Sequence, residues 1–433
     1  MLRATKIRIY PNKAQEQRLA QDFGNARKVW NMALEMKEMS RGGDKKPLTC
    51  YDIKKMLPIW KKGDYPYLSQ TYASCLQESI LHLDRAYKDA FERQRLGKTV
   101  TKKNSKNTNR YGFPVFKSKH DSRHAISYPQ HVKVLENKIS VPKIGKIKAK
   151  VHRQIVGKIR TVTISRESTG KYYASILTDD AIAPKLPLKQ IDASRVVGLD
   201  LGVIDWIVDS NGKKLANPKF LKKRVKKLAR LNRSLSRKIE AAKKRCVDDG
   251  KPLKHLHNYC GSNILKDRKR LALEHEKVRH ARNNFQHQVS RTLANDNQVV
   301  VAETLNVMGL LSNRKLSKAI SDCAWGGFLN KLDYKLKNRG GQLVRISTWF
   351  PSTKMCNHCG TINDEISLRH RVWTCQGCHA VVDRDINAAI NIREAGILQL
   401  KAAGLSVYAH GGHVSLDEVY QAKAREVGSL VFN

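Results

Sequence analysis

The chain contains no apolar run approaching the roughly 18 residues that a membrane-spanning helix needs, so an integral membrane protein is not expected. The opening stretch MLRATKIRIYPNK alternates like a strand and lacks the apolar core of a secretory signal, so export is not expected either. Cysteine is sparse. Nine in 433 residues cannot form a dense disulfide framework, and reduced thiols in the cytoplasm or at the nucleoid are the natural reading. Acid is short as well: 38 Asp and Glu face 82 Lys and Arg, a formal net charge of +44. Self-repulsion on that scale works against compactness, so the charge implies a partner. A long polyanion fits best, because neutralised phosphates release counterions and supply affinity. The length predicts two or three structural units.

What is present reads as two kinds of architecture. RATKIRIYPN is a short strand with Ile7 and Ile9 on one face, stopped by Pro11 and Asn12. Leu19, Phe23, Ala26, Val29, Trp30, Ala33 and Leu34 keep helical spacing over Gln15 to Met36, and a second helix is expected from Thr71 to Phe91. The following RLGKTVTKKNSKNTNRYGFPVFKSK is basic and polar, a solvated loop or a segment that orders on an acidic partner. Within it Tyr111, Phe113 and Phe116 either stack on bases or, for the two Phe, anchor the loop in a barrel. From about 125 to 190 the period is two, with turns at Glu136-Asn137 and Thr169-Gly170, which predicts an antiparallel β unit.

Beyond 190 the pattern becomes strand, long helices, strand, helix, strand, an α/β arrangement. RVVGLDLGVIDWIVDSNGK gives two strands closed by an Asn211-Gly212 turn. Leu221, Val225, Leu228, Leu235 and Ile239 form the apolar stripe of a helix over about 220–244, whose remaining surface is largely Lys and Arg. A second basic helix through Val278, Phe285, Val289 and Leu293 is expected to run antiparallel to it.

Two constellations carry chemistry. Cys356-x2-Cys359 and Cys375-x2-Cys378 have the spacing of a four-thiolate zinc ribbon. Four thiolates leave the ion no open position, so the ribbon is architecture, not catalysis. His255, His257 and Cys260 could also bind a metal, but read more simply as a polar connection between helices. The second constellation is acidic. Asp200 stands at the end of the strand VVGLD, Glu303 at the end of VVVAE, and Asp385 at the start of the helix DINAAINI. Ligands of α/β sheets bind at strand ends, and three carboxylates can hold two Mg²⁺ ions about 4 Å apart for phosphodiester chemistry. Gly198 and Gly202 would leave room for a close-approaching ligand. Each acid alone has a plainer reading: a turn residue, a strand cap, a helix N-cap. Together, in so basic a chain, they favour chemistry. Asp383 rivals Asp385, but positions two apart on a helix face different ways, so one of them enters the site.

GLDLGV, VAETLNV, FPSTKMCNHCG and CQGCHAVVDRDINAAINI resemble the RuvC motifs and zinc ribbon of TnpB proteins, transposon-encoded RNA-guided nucleases related to type V CRISPR effectors. KIRIYPNKAQEQRLAQDFGNARKVWN and GFPVFKSK resemble the same family, so the likeness runs nearly end to end. It implies an α+β multidomain protein. Residues 1–190 would form a wedge β-barrel with a helical recognition insert at about 15–120. Residues 191–433 would form an RNase H-like RuvC α/β domain with a zinc ribbon at about 350–380 and a variable C-terminal tail. By position, Asp200, Glu303 and Asp385 would be the catalytic acids on Mg²⁺, and Cys356, Cys359, Cys375 and Cys378 the ligands of a structural Zn²⁺.

The implied activity is RNA-guided, Mg²⁺-dependent DNA cleavage beside a short flanking motif, encoded by an insertion sequence and supporting its maintenance. The implied partners are a transposon-derived guide RNA, with one protein per RNA, and target double-stranded DNA. No membrane is involved, and the location would be cytoplasmic, at the nucleoid when on DNA. Lys222, Lys223, Lys226, Lys227, Arg230, Arg233 and Arg237 are the candidate nucleic-acid channel. His379 departs from the Gly that often follows the last cysteine, a local turn change. Two other readings compete: a nuclease-inactive RNA-guided repressor, which need not keep three acids, and a transposase joining strands itself, which the acids suit equally well.

Overall fold

The computed structural model describes residues 1–40, 47–100, 109–121, 124–183, 185–366 and 370–408. Part of the basic loop after residue 95 and nearly all of the tail expected to be variable lie outside the described residues. The chain divides into two compact units, Met1–Ala183 with Gly261–Leu273, and Pro184–Cys260 with Glu274–Asn433. No helix among the described residues is long and apolar enough to cross a membrane.

The first unit begins with strand β1 (Leu2–Tyr10). Asn12 ends it and caps helix α1 (Lys13–Met39): its side chain accepts the Gln15 N–H while the Gln15 side chain accepts its own. Helices α2 (Cys50–Lys62) and α3 (Ala73–Arg95) follow, then strands β2 (His124–Tyr128), β3 (Lys133–Val134), β4 (Lys138–Val141), β5 (Gly145–Lys150), β6 (Lys158–Arg166) and β7 (Tyr172–Asp179). The seven strands form one sheet in the order β2-β6-β7-β1-β5-β4-β3. Alternate residues, among them Ile7, Ile126, Ile139, Ile147, Ile164 and Ile176, meet Leu19 and Phe23 of α1 in a single core. That shared core means the sheet curls. It does not close: β2 and β3 pair with each other nowhere among the described residues, so the expected barrel is an open, coiled sheet. The two-residue β3 offers too few ladder bonds to seal a cylinder.

A second core joins the C-terminal half of the same α1 stripe (Val29, Ala33, Leu34) to α2 (Ile53, Leu57) and α3 (Leu76, Ile80, Leu83). Phe113 packs on this cluster, with its ring 5.1 Å from that of Phe91, whereas Phe116 is exposed. The anchoring expected of both Phe in the barrel therefore holds for one, and on helix α3 instead.

The second unit contains strands β8 (Gln190–Asp192), β9 (Val196–Asp200), β10 (Asp205–Asp209) and β11 (Lys214–Ala216), then helix α4 (Val225–Asp248) and, from Glu274 on, helix α5 (Ser262–Asp296). Strand β12 (Val299–Glu303), helices α6 (Val307–Leu310), α7 (Ser317–Cys323) and α8 (Trp325–Lys337), and strand β13 (Gln342–Ile346) come next. Strands β14 (Val372–Thr374) and β15 (Val381–Asp383), helix α9 (Arg384–Ala402) and strand β16 (Ser406–Tyr408) complete it. The main sheet has the order β11-β10-β9-β12-β13. Its first three strands are antiparallel, while β12 runs parallel to both β9 and β13.

Continuous apolar strands here reflect burial on both faces. Val300 and Ala302 pack on α8 through Phe328, Leu329 and Leu332. Val299 and Val301 pack on α9 through Ile392, Ile397 and Leu400. Helix α9 lies so close that a Cβ on Gly198 would stand 2.1 Å from the Ala389 carbonyl oxygen, and one on Gly396 would stand 2.3 Å from Val301. The room at Gly198 is therefore taken by a helix backbone, not by a ligand, and that at Gly202 by the Asp205 carbonyl at 2.5 Å. The stripe expected on α4 is also narrower than its spacing suggested. Only Leu228 of it is buried, joined by Ala242 and Cys246, and Val225 is exposed in the first turn.

Candidate active site and metal centre

Parallel pairing sets Leu199 opposite Ala302, so Asp200 and Glu303 end neighbouring strands at the same level, about 4.8 Å apart by sheet spacing. Both side chains are half-buried. The third acid arrives on α9. Asp383 accepts the N–H groups of Asp385 and Ile386, each at 3.1 Å, and so caps the helix that carries Asp385 in its first turn. Asp383 also receives Lys214 Nζ at 2.6 Å, and Lys214 with the two N–H groups keeps its carboxyl below the ordinary range against the pull of burial.

The electrostatics join the three acids. Burial, then Glu303, then Asp385 push the Asp200 carboxyl up to about 7, with Arg384 and the Leu201 N–H opposing. Burial also raises Glu303, although the Ser352 hydroxyl donates to its Oε1. Asp385 is buried and held by two guanidinium groups: Arg384 Nη2 lies 2.8 Å from Oδ1, and Arg371 bonds Oδ2. A carboxyl raised by burial and by two acidic neighbours, next to one held by two arginines, marks a place where added positive charge is favoured. Hard oxygen donors in that state fit Mg²⁺.

The cysteines meet in the ribbon. Their four sulfur atoms lie within 4.8 Å of one another. Cys356 and Cys378 are 3.8 Å apart and Cys359 and Cys375 3.5 Å, close to the roughly 3.8 Å edge of a tetrahedron with 2.3 Å Zn–S bonds. Burial opposes ionisation of Cys375, yet the N–H groups of Cys378 and Gly377 bring its thiol down to about 6, as a ligand thiolate requires. Gly360, after the first knuckle, has φ +73°, and His379, after the second, has φ +56°. The second turn thus keeps the left-handed backbone without glycine. His255, His257 and Cys260 form no metal cluster among the described residues.

Of the seven basic candidates all are exposed, but Lys227 already pairs with Glu274 at 2.9 Å, beside Arg224. The other six make no ion pair among the described residues. Sequence reasoning missed Ser352, Arg371, Arg384, Asn387 and Asn391. The two Asn carried a signal: amides at i and i+4 inside the otherwise apolar DINAAINI are polar groups placed on a buried face.

Family models match the chain in three stretches: a helix-turn-helix domain over residues 1–45, a probable transposase over 179–314, and a Cas12f1-like TNB domain over 325–392. A protein of Streptomyces pristinaespiralis assigned as an RNA-guided DNA endonuclease is 32% identical over 400 residues, 91% of this chain and 89% of its own. The chain belongs to the TnpB family of RNA-guided DNA endonucleases. A further TnpB-family relative, InsQ of Escherichia coli K12, is 28% identical over 91% of this chain and 92% of its own. A Cas12f1 chain solved with its sgRNA and target DNA superposes with a TM-score of 0.42 at 16% identity, covering 91% of this TnpB-family chain and 98% of that one. In the span of the helix-turn-helix model, the described residues of this TnpB-family chain form strand β1 and helix α1.

Proposed function

We propose that the protein is an RNA-guided, Mg²⁺-dependent DNA endonuclease of the RuvC type, encoded by an insertion sequence and cutting beside a short flanking motif. The observation that carries this reading is that Asp200 and Glu303 end neighbouring parallel strands at one level, with Asp385 near enough to add, after burial and Glu303, to the rise of the Asp200 carboxyl. Family membership supports it, as does a sheet whose strands, numbered within that sheet, run 3-2-1-4-5, the order of an RNase H-like domain. The zinc ribbon, held by Cys356, Cys359, Cys375 and Cys378, is structural. Residues 1–190 would act as wedge and recognition unit, and 191–433 as nuclease. One protein per guide RNA is the expected assembly.

Asp200, Glu303 and Asp385 would hold two Mg²⁺ ions. When bound, these supply the Lewis acid that polarises the scissile phosphodiester. Asp200 would bind them as the carboxylate, and Asp385 would share its oxygens with Arg371 and Arg384. Asp383 stays on the α9 N–H groups, orienting the helix. The exposed Lys222, Lys223, Lys226, Arg230, Arg233 and Arg237 offer phosphate contacts to a guide–target duplex, whose base pairing reads the sequence. Lys227 contributes less, being shared with Glu274.

The test separates cutting from binding. Asp200→Ala in the guide complex should lower cleavage by several orders of magnitude and leave target affinity unchanged. Cutting near the wild-type rate would end the catalytic assignment, and equal loss of binding would make the acid structural.

A further inference from the structure

The ribbon's first knuckle is fastened to two of the three acids, and nothing in the metal-ligand sets requires that. Asn387 and Asn391 stand one turn apart on α9, both essentially without exposure. Asn391 Nδ2 donates to the carbonyls of Ser352 at 2.8 Å and Met355 at 2.6 Å. Asn387 Nδ2 donates to Met355 O at 2.7 Å, while its Oδ1 accepts the Asn357 N–H at 2.8 Å. Cys356, a zinc ligand, is therefore bracketed on both sides by amides from the helix that carries Asp385. The same segment reaches the second acid, since the buried Ser352 donates its hydroxyl to Glu303. A hydroxyl on one carboxylate oxygen fixes the rotamer of Glu303, as partners behind ligating side chains do.

We propose that Ser352, Asn387 and Asn391 are positioning residues that make the catalytic metal site depend on the zinc knuckle. Zinc holds Met355 to Asn357 in the turn that the two amides grip. That grip keeps Ser352 at hydrogen-bond distance from Glu303 and registers α9, and with it Asp385, against the strand ends. Loss of the hydroxyl weakens divalent-metal binding at the acids. Loss of zinc does the same from further away.

This rests on the acid-centre reading above, and the experiment keeps the two apart. The zinc-loaded guide RNA complex is given Fe²⁺ in place of Mg²⁺, with ascorbate and peroxide. Hydroxyl radicals then cut the polypeptide beside the bound ion, and mass spectrometry maps the cuts, so metal on the RNA does not interfere. Wild type should be cut near Asp200 and Glu303, and Asp200→Ala should not. Ser352→Ala should need about 10- to 100-fold more Fe²⁺ for half-maximal cutting. Its zinc content and target binding should stay as in wild type. Its Mg²⁺ midpoint for DNA cleavage should shift by the same factor, with the rate recovered at saturating Mg²⁺. Ser352→Thr, which keeps the hydroxyl, should restore the midpoint. Where alanine compromises folding, the nearly isosteric Ser352→Cys, a weaker donor, makes the same comparison. Asn391→Ala should shift the Fe²⁺ midpoint in the same direction. An unchanged Fe²⁺ midpoint in folded, zinc-loaded Ser352→Ala or Ser352→Cys overturns this inference alone. Absence of cuts near the acids in wild type overturns it together with the acid-centre reading.

Discussion

Replacing Asp200 by Asn should stabilise the metal-free protein even as it abolishes cutting. Asp200 is pushed from the ordinary 3.8 up to about 7 by burial, then by Glu303 and Asp385. A carboxyl raised in this way binds its proton more tightly folded than unfolded. The penalty is absent below about pH 4, grows as pH rises toward 7, and is complete above it. Three units correspond to about 4 kcal/mol, of which solvent screening at a half-buried site leaves roughly 2 kcal/mol. Asparagine carries no charge and keeps the shape, so the variant escapes that penalty. At about 2–4 °C per kcal/mol, its Tm at pH 8 should rise by roughly 5 °C. The gain should grow by about 1 kcal/mol between pH 5.5 and pH 7 and level off above that. Calorimetry with Mg²⁺ omitted measures this, with zinc content checked by elemental analysis at each pH. Added Mg²⁺ should raise the Tm of wild type but not of the variant. A variant that unfolds at or below the wild-type temperature at pH 8, or a gain independent of pH, would refute the electrostatic picture of the site.

Elemental analysis should find about one zinc per chain, and joint replacement of Cys356 and Cys375 by Ser should release it and disorder the ribbon. Asp383→Ala removes a helix cap and the Lys214 ion pair, so it should cost about 1 kcal/mol of stability and lower cleavage several-fold without abolishing it, as a denaturation curve and a gel assay will show. Joint replacement of Arg230 and Arg233 by Ala should weaken nucleic-acid binding uniformly across sequences and reduce the slope of log K against log salt by about 2, read by filter binding.

The parts of the site that the sequence disclosed are those set by short-range rules. The Val runs before Asp200 and Glu303 announce strands buried on both faces, and an acid at the end of such a strand stands out. CxxC pairs reveal themselves because one tetrahedral ion fixes their spacing. Helix geometry has Asp383 and Asp385, two positions apart, face different ways, and Asp383 takes the cap, its carboxylate on the first N–H groups of α9. What stayed hidden depends on partners distant in sequence. The Ser352–Glu303 contact joins residues 49 apart and has no period to betray it. Gly198 looks the same whether it admits a ligand or a helix, and only the packing of α9 decides. Helix α2 offers a short stripe, Ile53 and Leu57, and carries Pro58 inside it, so it did not declare itself. The open edge of the first sheet follows from the brevity of β3, a property of register that alternation alone cannot express.

In the proposed activity, base pairing with a bound RNA directs the acids to the DNA they cut. The direct measurement is retargeting: the guide segment of the bound RNA is replaced, and cleavage of two plasmids, matched to the old and the new guide, is compared for wild type and Asp200→Ala. The cut should move to the newly matched plasmid, need Mg²⁺, and vanish in Asp200→Ala while that complex still binds the matched target. A cut that stays at the original site after the guide is changed, or that persists in Asp200→Ala, would contradict the account.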